Sequence, residues 1–321
     1  MGETETTTSP ISGASVRRGD RIFRGTSLGA GTLVLVIMGA IAAFLIWRSI
    51  PSLTSNTANF FTEEAWSPDG DPPVFGIAAL AFGTLVSAFI AMLLAVPVGI
   101  GIALFIALYA ERRLATTLAF ITDLLAAVPS IIFGLWGLEV LLSGSEGLQI
   151  WMSDWLGWTV VFDNTLDLYG KSLFLASIVL AIMILPTVAA VSREVIVQVP
   201  LGHKEAALAL GATRWEMVRM AVFPFAKPGM ISAAMLGLGR ALGETIAVAL
   251  ILSAVFTVNV HVTEPGGNTF AANIALKWNE AGTNGLSALV ASGLVLFVLT
   301  LSVNMVARWI IARRAEFSGA N

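Results

Sequence analysis

The chain has 321 residues, 56% of them hydrophobic and 12% charged, with a mean hydropathy of +0.84. A soluble globular protein carries roughly 25% charged residues, so the composition excludes one and requires an integral membrane protein. The lack of cysteine rules out disulfides, thiolate metal sites and a cysteine nucleophile. The net charge of −3 says little by itself, since the distribution of the charges matters more, and no nucleic-acid partner is expected.

Residues 1–25 are polar, rich in Thr and Ser, and contain Arg17, Arg18, Arg21 and Arg24. They read as a disordered basic cytoplasmic tail, and 26–321 as one all-α transmembrane domain. The apolar run Gly25–Trp47 is longer than the core of a secretion signal, so an uncleaved first span is expected rather than a signal peptide. Requiring about 20 mainly apolar residues per crossing gives six spans, near 26–47, 77–108, 117–141, 172–192, 227–256 and 287–308. Pro97, Gly99 and Gly101 are expected to kink or tilt the second span. Pro129 and Pro186 are expected to break the third and fourth, as in helices that line a transporter cavity.

Fourteen of the 18 basic residues lie in the N-terminal tail, at Arg112-Arg113, in the 193–227 segment and at the end, with Arg308, Arg313 and Arg314. The opposite loops hold only Arg48, Lys171 and Lys277 and carry acids instead, among them Glu63, Glu64, Asp69, Glu146, Asp167, Glu264 and Glu280. Basic residues stay cytoplasmic, so both termini and the loop 193–226 are expected on that side. The outer loops contain Trp151, Trp155 and Trp158, which read either as an interfacial aromatic belt or as part of a landing surface for an outer partner protein.

Glu205-Ala-Ala-Leu-Ala-Leu-Gly211 reads as a short helix closed by glycine in the left-handed conformation. Thr213 and Glu216 form a T-x-x-E capping box that starts a second short helix through Arg214 and Trp215 to Phe223-Pro224. Such a helix-turn-helix offers a rigid, partly apolar knob to a cytoplasmic partner. Arg240 and Glu244 fall near the middle of the fifth span, where each charge costs on the order of 2.5–3.5 kcal/mol. On one continuous helix they stand at i, i+4, sharing a face with Ala233, Gly237, Gly243 and Ala247; small residues there let a neighbouring backbone approach. The pair reads either as a lock between helices or as an anion path, with Arg240 contacting an oxyanion and Glu244 keeping it from binding too tightly.

Asp123 in the first turns of the third span is expected to be stabilised by a helix N-terminus or a water-filled vestibule. Glu139 reads as interfacial, and His203 as a surface residue ahead of the docking helix. Gly170-Lys171-Ser172 lacks the earlier glycine of a phosphate-binding loop, since Thr165 stands there, so no such ATP site is expected in this chain.

The stretch Glu205-Ala-Ala…Gly211…Pro224 resembles the EAA loop of ATP-binding-cassette importer permeases. Gly239-Arg-Ala-Leu-Gly-Glu-Thr-Ile-Ala-Val248 is similar to the signature of the phosphate-specific permease, C subunit type. Val128-Pro-Ser-Ile-Ile-Phe-Gly-Leu-Trp-Gly137, Ile184-Leu-Pro186 and Asn268-Thr-Phe-Ala-Ala-Asn-Ile-Ala275 match the same family. The resemblance implies a type I importer permease of the MetI-like kind in the inner membrane, importing inorganic phosphate by alternating access and surrounded by lipid. Its implied partners are a second homologous permease of the A subunit type, an ATPase dimer that holds ATP and Mg, and an extracytoplasmic phosphate-binding protein; no cofactor is implied in this chain. The implied pathway residues are Arg240, Glu244, Gly237, Gly243 and Thr245, with Asp123, Pro129 and Ser130 beside them. The implied docking residues are Glu205, Ala206, Ala207, Gly211, Arg214 and Trp215. The rivals are a permease for another oxyanion, such as sulfate or molybdate, and an ion-coupled secondary transporter, which has no use for such a loop.

Overall fold

A computed structural model describes residues 18–166 and 168–315. Asp167 and residues 1–17 of the expected tail lie outside them, and 18–25 are helical. Helix α1 (Arg18–Ser55) begins in a first unit that ends at Trp47. Within that unit the Thr26 and Thr32 hydroxyls donate to the carbonyls of Phe23 and Leu28, so these polar side chains spend their donors on their own helix.

The second unit begins at Arg48. A two-residue antiparallel ladder, Trp66–Ser67 against Val74–Phe75, leads into α2 (Ala78–Leu104), which runs on through a wide π-type turn to Tyr109. There follow α3 (Arg112–Ala126), α4 (Ser130–Gly144), α5 (Glu146–Leu156), α6 (Leu173–Val197) and α7 (Leu201–Ala209). Next come α8 (Arg214–Leu242), α9 (Ile246–Ile251), α10 (Phe270–Lys277) and α11 (Thr283–Ala315). Among the described residues, five helices are long and apolar enough to cross a membrane, and α3 with α4, bent by 90° between them, makes a sixth crossing if taken as one.

Helix α6 is the hub. Its most apolar stretch is 67% buried, against 28% in each of α2, α8 and α11. Leu175, Leu180, Met183 and Ile184 close a core with Ala88, Ala91 and Ala95 of α2 and Val248 and Ile251 of α9. Alanine and glycine on the partners set the spacing. At Gly237 of α8 an added Cβ would stand 2.9 Å from Val188 of α6, and Gly99 of α2 meets the same side chain. The small-residue face expected on the fifth span is therefore real at Ala233 and Gly237, both buried.

The breaks coincide with the marked prolines only at Pro129. Helices α2 and α6 continue through Pro97 and Pro186. Packing on several sides holds α6 together at the buried Pro186, where one ladder bond is lost, whereas Pro97 is exposed and α2 continues there without it. The third span does break at Pro129, which disfavours helical backbone at Val128 and sits at the N-cap of α4. The expected fifth span 227–256 is also interrupted: α8 ends at Leu242, and Gly243–Thr245 separate it from α9. The stretch 268–275, read as an outer loop, contains most of helix α10, whose first turn is buried, with Thr269 accepting from the Ala272 amide and Thr84 of α2 accepting from the Phe270 amide.

Gly83 of α2 faces the Asn268 carbonyl so closely that a Cβ there collides with backbone. Gly83→Ala is expected to lower the thermal-unfolding midpoint in detergent by the equivalent of about 1–3 kcal/mol. Gly101→Ala, which meets nothing within 4 Å, leaves the midpoint unchanged or slightly raised. Equal midpoints in scanning fluorimetry would contradict this packing.

Candidate functional site

The residues singled out in the sequence gather in two regions, the segment expected to dock and the break after α8. In the docking segment, α7 ends as the glycine rule requires. Gly211 has φ +87°, its amide bonds the Leu208 carbonyl, and the Ala212 amide bonds Ala207, which together make a Schellman cap. The Thr213 hydroxyl then accepts from the Glu216 amide while the Glu216 carboxylate accepts from the Thr213 amide, so the capping box is complete. The backbone and hydroxyl of Thr213 hold the Glu216 carboxyl below the usual carboxylate range.

The second short helix expected here is instead the first turn of α8, which runs without a stop through a π-type turn at Val218–Val222 into the membrane span. Nothing at Phe223-Pro224 ends it, because proline is tolerated in the first turn of the segment it opens. Val218, Val222, Ile196, Val199 and Ala103 bury a satellite core under Ala207. Glu205, Ala206, Arg214 and Trp215 remain exposed above it, with Leu210 90% exposed at the tip. A cleft of about 1020 Å³ lies against this knob, lined by His203, Ala207, Leu210, Met220 and Phe225 among others.

At the break, the half-buried Arg240 extends from the last turn of α8. Its Nη1 donates to Thr187 Oγ1 of α6 at 3.2 Å and to the Ala126 carbonyl of α3 at 3.5 Å. Glu244 does not pair with it. Among the described residues no carboxylate lies within ion-pair distance of Arg240. The i, i+4 geometry expected for the two charges requires one continuous helix through Glu244, and α8 stops at Leu242. Glu244 turns instead to the next one, where Oε1 accepts the Ala247 amide at 3.2 Å and stabilises the start of α9. Gly243 is exposed and serves as the stop for α8, while the Thr245 hydroxyl donates to the Gly243 carbonyl.

Arg240 also lines a cleft of about 430 Å³ shared with Gly239, Asn304 and Arg308. Pro129 and Ser130 flank the bend just beyond Ala126, so the structure brings Arg240 and the α3–α4 bend together. Asp123 lies in the last turn of α3, not the first, because the helix starts at Arg112. A carboxylate at that end opposes the helix dipole, and the Arg193 guanidinium of α6 compensates it at 3.2 Å. Thr187, Ala126, Arg193, Asn304 and Arg308 are the residues that pattern reading missed. Only the two arginines carry a signal in the sequence, and both enter there as markers of sidedness alone.

The outer loops are joined by Glu264, which is buried and accepts from the Thr165 amide, the Thr165 hydroxyl and Asn259. Burial raises its carboxyl, but the hydrogen bonds from Thr165 and Asn259 outweigh burial and hold it below the ordinary value. Trp151, Trp155 and Trp158 are 53%, 70% and 82% exposed.

The sequence model described as the binding-protein-dependent transport system inner membrane component matches residues 99–316. The phosphate transport system permease protein PstC 2 of Mycobacterium tuberculosis is 46% identical over 296 residues, which cover 91% of this chain and 91% of the relative. The chain belongs to this permease family. Another member, PstC of Mesorhizobium japonicum, is 38% identical over 316 residues, covering 96% of this chain and 95% of its own length. Among solved structures, a bacterial ABC transporter involved in import of the acidic polysaccharide alginate has a chain with a TM-score of 0.52 at 19% identity. That match covers 74% of this chain and 79% of the other. A chain of the inward-facing MetNI methionine ABC transporter gives 0.51 at 19% identity, covering 73% and 92%. At that distance the likeness shows the fold alone, and it is the MetI-like importer-permease fold expected from the sequence. The family match contains both the docking segment and the Arg240 break and begins within α2.

Because the folded Glu264 carboxyl is lowered from about 4.5, its stabilisation of the loops is present above that ordinary value. It is lost as pH falls through the lower folded value. Glu264→Gln presents an amide to donors and is expected to speed hydrogen exchange at the Thr165 amide by about tenfold or more at neutral pH. Unchanged exchange would show that Glu264 does not hold these loops.

Proposed function

We propose that this chain is the phosphate-conducting permease subunit of an ATP-driven importer and that Arg240 contacts the anion on its way inward. One observation carries the reading. Inside an apolar bundle, a guanidinium is held in place through one nitrogen by a hydroxyl and a carbonyl, is left unneutralised, and opens onto a cleft. A permanent cation costs too much in a membrane interior to be kept there uncompensated, and guanidinium matches a tetrahedral oxyanion with parallel hydrogen bonds. The phosphate transport named for the family's relatives agrees with that chemistry.

The exposed knob around Leu210 and Trp215 receives a separate ATPase dimer that binds ATP and Mg. An extracytoplasmic phosphate-binding protein delivers the anion at the outer loops. The exposed apolar faces of α3 and α4, with Phe120, Leu124, Ile132 and Trp136, are covered by a second, homologous permease of the A subunit type. Both termini face the cytoplasm, in keeping with the basic residues gathered on that side. ATP binding closes the ATPase dimer, the knob moves with it, and access to the Arg240 cleft alternates between the two sides. No step of this cycle requires a cofactor in this chain.

Arg240→Leu is expected to abolish ATP-driven phosphate uptake in reconstituted vesicles while the complex still co-purifies. Uptake at the wild-type rate would remove Arg240 from the mechanism, and equal competition by sulfate or molybdate would reassign the cargo. Leu210→Glu, at the tip of the knob, is expected to cut co-purification of the ATPase by about tenfold or more, the loss of one well-packed apolar anchor; full recovery would place the contact elsewhere.

A further inference from the structure

The cleft at Arg240 has a second cationic wall that the reading above does not use. Its lining includes Arg308 and Asn304 of α11 together with Ser232, Gly239 and Arg240 of α8, and it contains no acidic residue. Among the described residues, no carboxylate lies within ion-pair distance of either arginine. Two like charges face one slot, the half-buried Arg240 and the exposed Arg308, walled elsewhere by Met235, Leu236 and Ala307, and they repel each other. A bound oxyanion reverses that sign: each guanidinium can offer it parallel N–H donors, and the Asn304 amide adds one more. The slot also has length. Ser232 lies eight residues before Arg240, about 12 Å along α8 on the docking-segment side.

We propose that the α8–α11 cleft is an anion site in which Arg308 and Asn304 take over a phosphate group from Arg240 on the docking-segment side of the break. This rests on Arg240 being a cargo contact, and it adds Arg308 as a second one. The phosphate group can come from the transported ion or from the head group of an anionic lipid, and the two sources are separable.

The test uses the complete reconstituted transporter, in vesicles of phosphatidylcholine alone and with phosphatidylglycerol added, measuring ATP-driven uptake of radiolabelled inorganic phosphate over a range of concentrations. Arg308→Gln is expected to raise KM by about tenfold, the loss of one charge-assisted contact, with Arg308→Lys in between. A rise in both lipids identifies transported phosphate as the occupant. Stimulation of the wild type by phosphatidylglycerol that Arg308→Gln abolishes, at unchanged KM, identifies lipid phosphate. An unchanged KM with an unchanged lipid response overturns the site, as does a fall in maximal rate alone that Gln and Lys produce equally, which is a packing effect. Arg240→Leu is run in parallel: if it transports normally the cargo reading itself falls, and if it fails while Arg308→Gln behaves as wild type, only the second contact is lost.

Discussion

A guanidinium inside a bilayer has to spend its donors and its charge on something, and the way Arg240 does so depends on where the helices stop. Had α8 continued, Glu244 would lie one turn above and neutralise it. Because the helix ends at Leu242, Glu244 instead caps α9 through the Ala247 amide. The arginine is left with a threonine hydroxyl from α6 and a carbonyl at the α3–α4 bend. Those partners position the cation without cancelling it. The tight packing of α6 against α2 and α8 fixes the position of Thr187, so the inner core and the charged group are one construction.

The same helix that presents Arg240 begins in the docking segment. From Arg214 to Arg240 it runs 26 residues, about 39 Å at 1.5 Å per residue. A displacement of the knob therefore reaches the break along one continuous element rather than through a series of loose joints. The π-type turn at Val218–Val222 interrupts it on the way, with Val218 and Val222 buried against α2 and α6, and Pro228 lies within the helix beyond it. At the other end, the Gly211 and Thr213 caps hold α7 at a fixed angle to that lever. Asp123 and Arg193 tie α3 to α6 one turn from Ala126, so the bend that receives Arg240 is held from two sides.

The spans and the caps of the segment 201–217 were legible because each depends on residues close together in sequence. Hydropathy placed α2, α6 and α11 to within a few residues, and T-x-x-E placed the start of α8 at Arg214. Helix breaks were less legible, because proline marks a lost hydrogen bond and not whether neighbours make it good: Pro186 is buried and its helix continues, while Pro129 is exposed at a bend. The stop after Leu242 carries only a glycine and a threonine, a pattern equally at home inside a membrane helix. The partners of Arg240 were out of reach altogether, since Thr187 and Ala126 are 53 and 114 residues away and only the fold brings them to it. Helix α10 was hidden for the opposite reason: eight residues are too few to register as a span, although Asn268-Thr269 is a clear N-terminal signal.

The central claim is that the Arg240 break opens to water and anion, not to acyl chains. The chain contains no cysteine, and Gly239, exposed beside Arg240 with nothing within 4 Å of an added Cβ, accepts one without disturbance. The direct measurement is labelling of Gly239→Cys in the reconstituted complex by a charged, water-soluble thiol reagent, with and without inorganic phosphate. Ready labelling that phosphate slows is expected. A cysteine that resists the charged reagent but reacts with a lipid-soluble one would contradict the central claim.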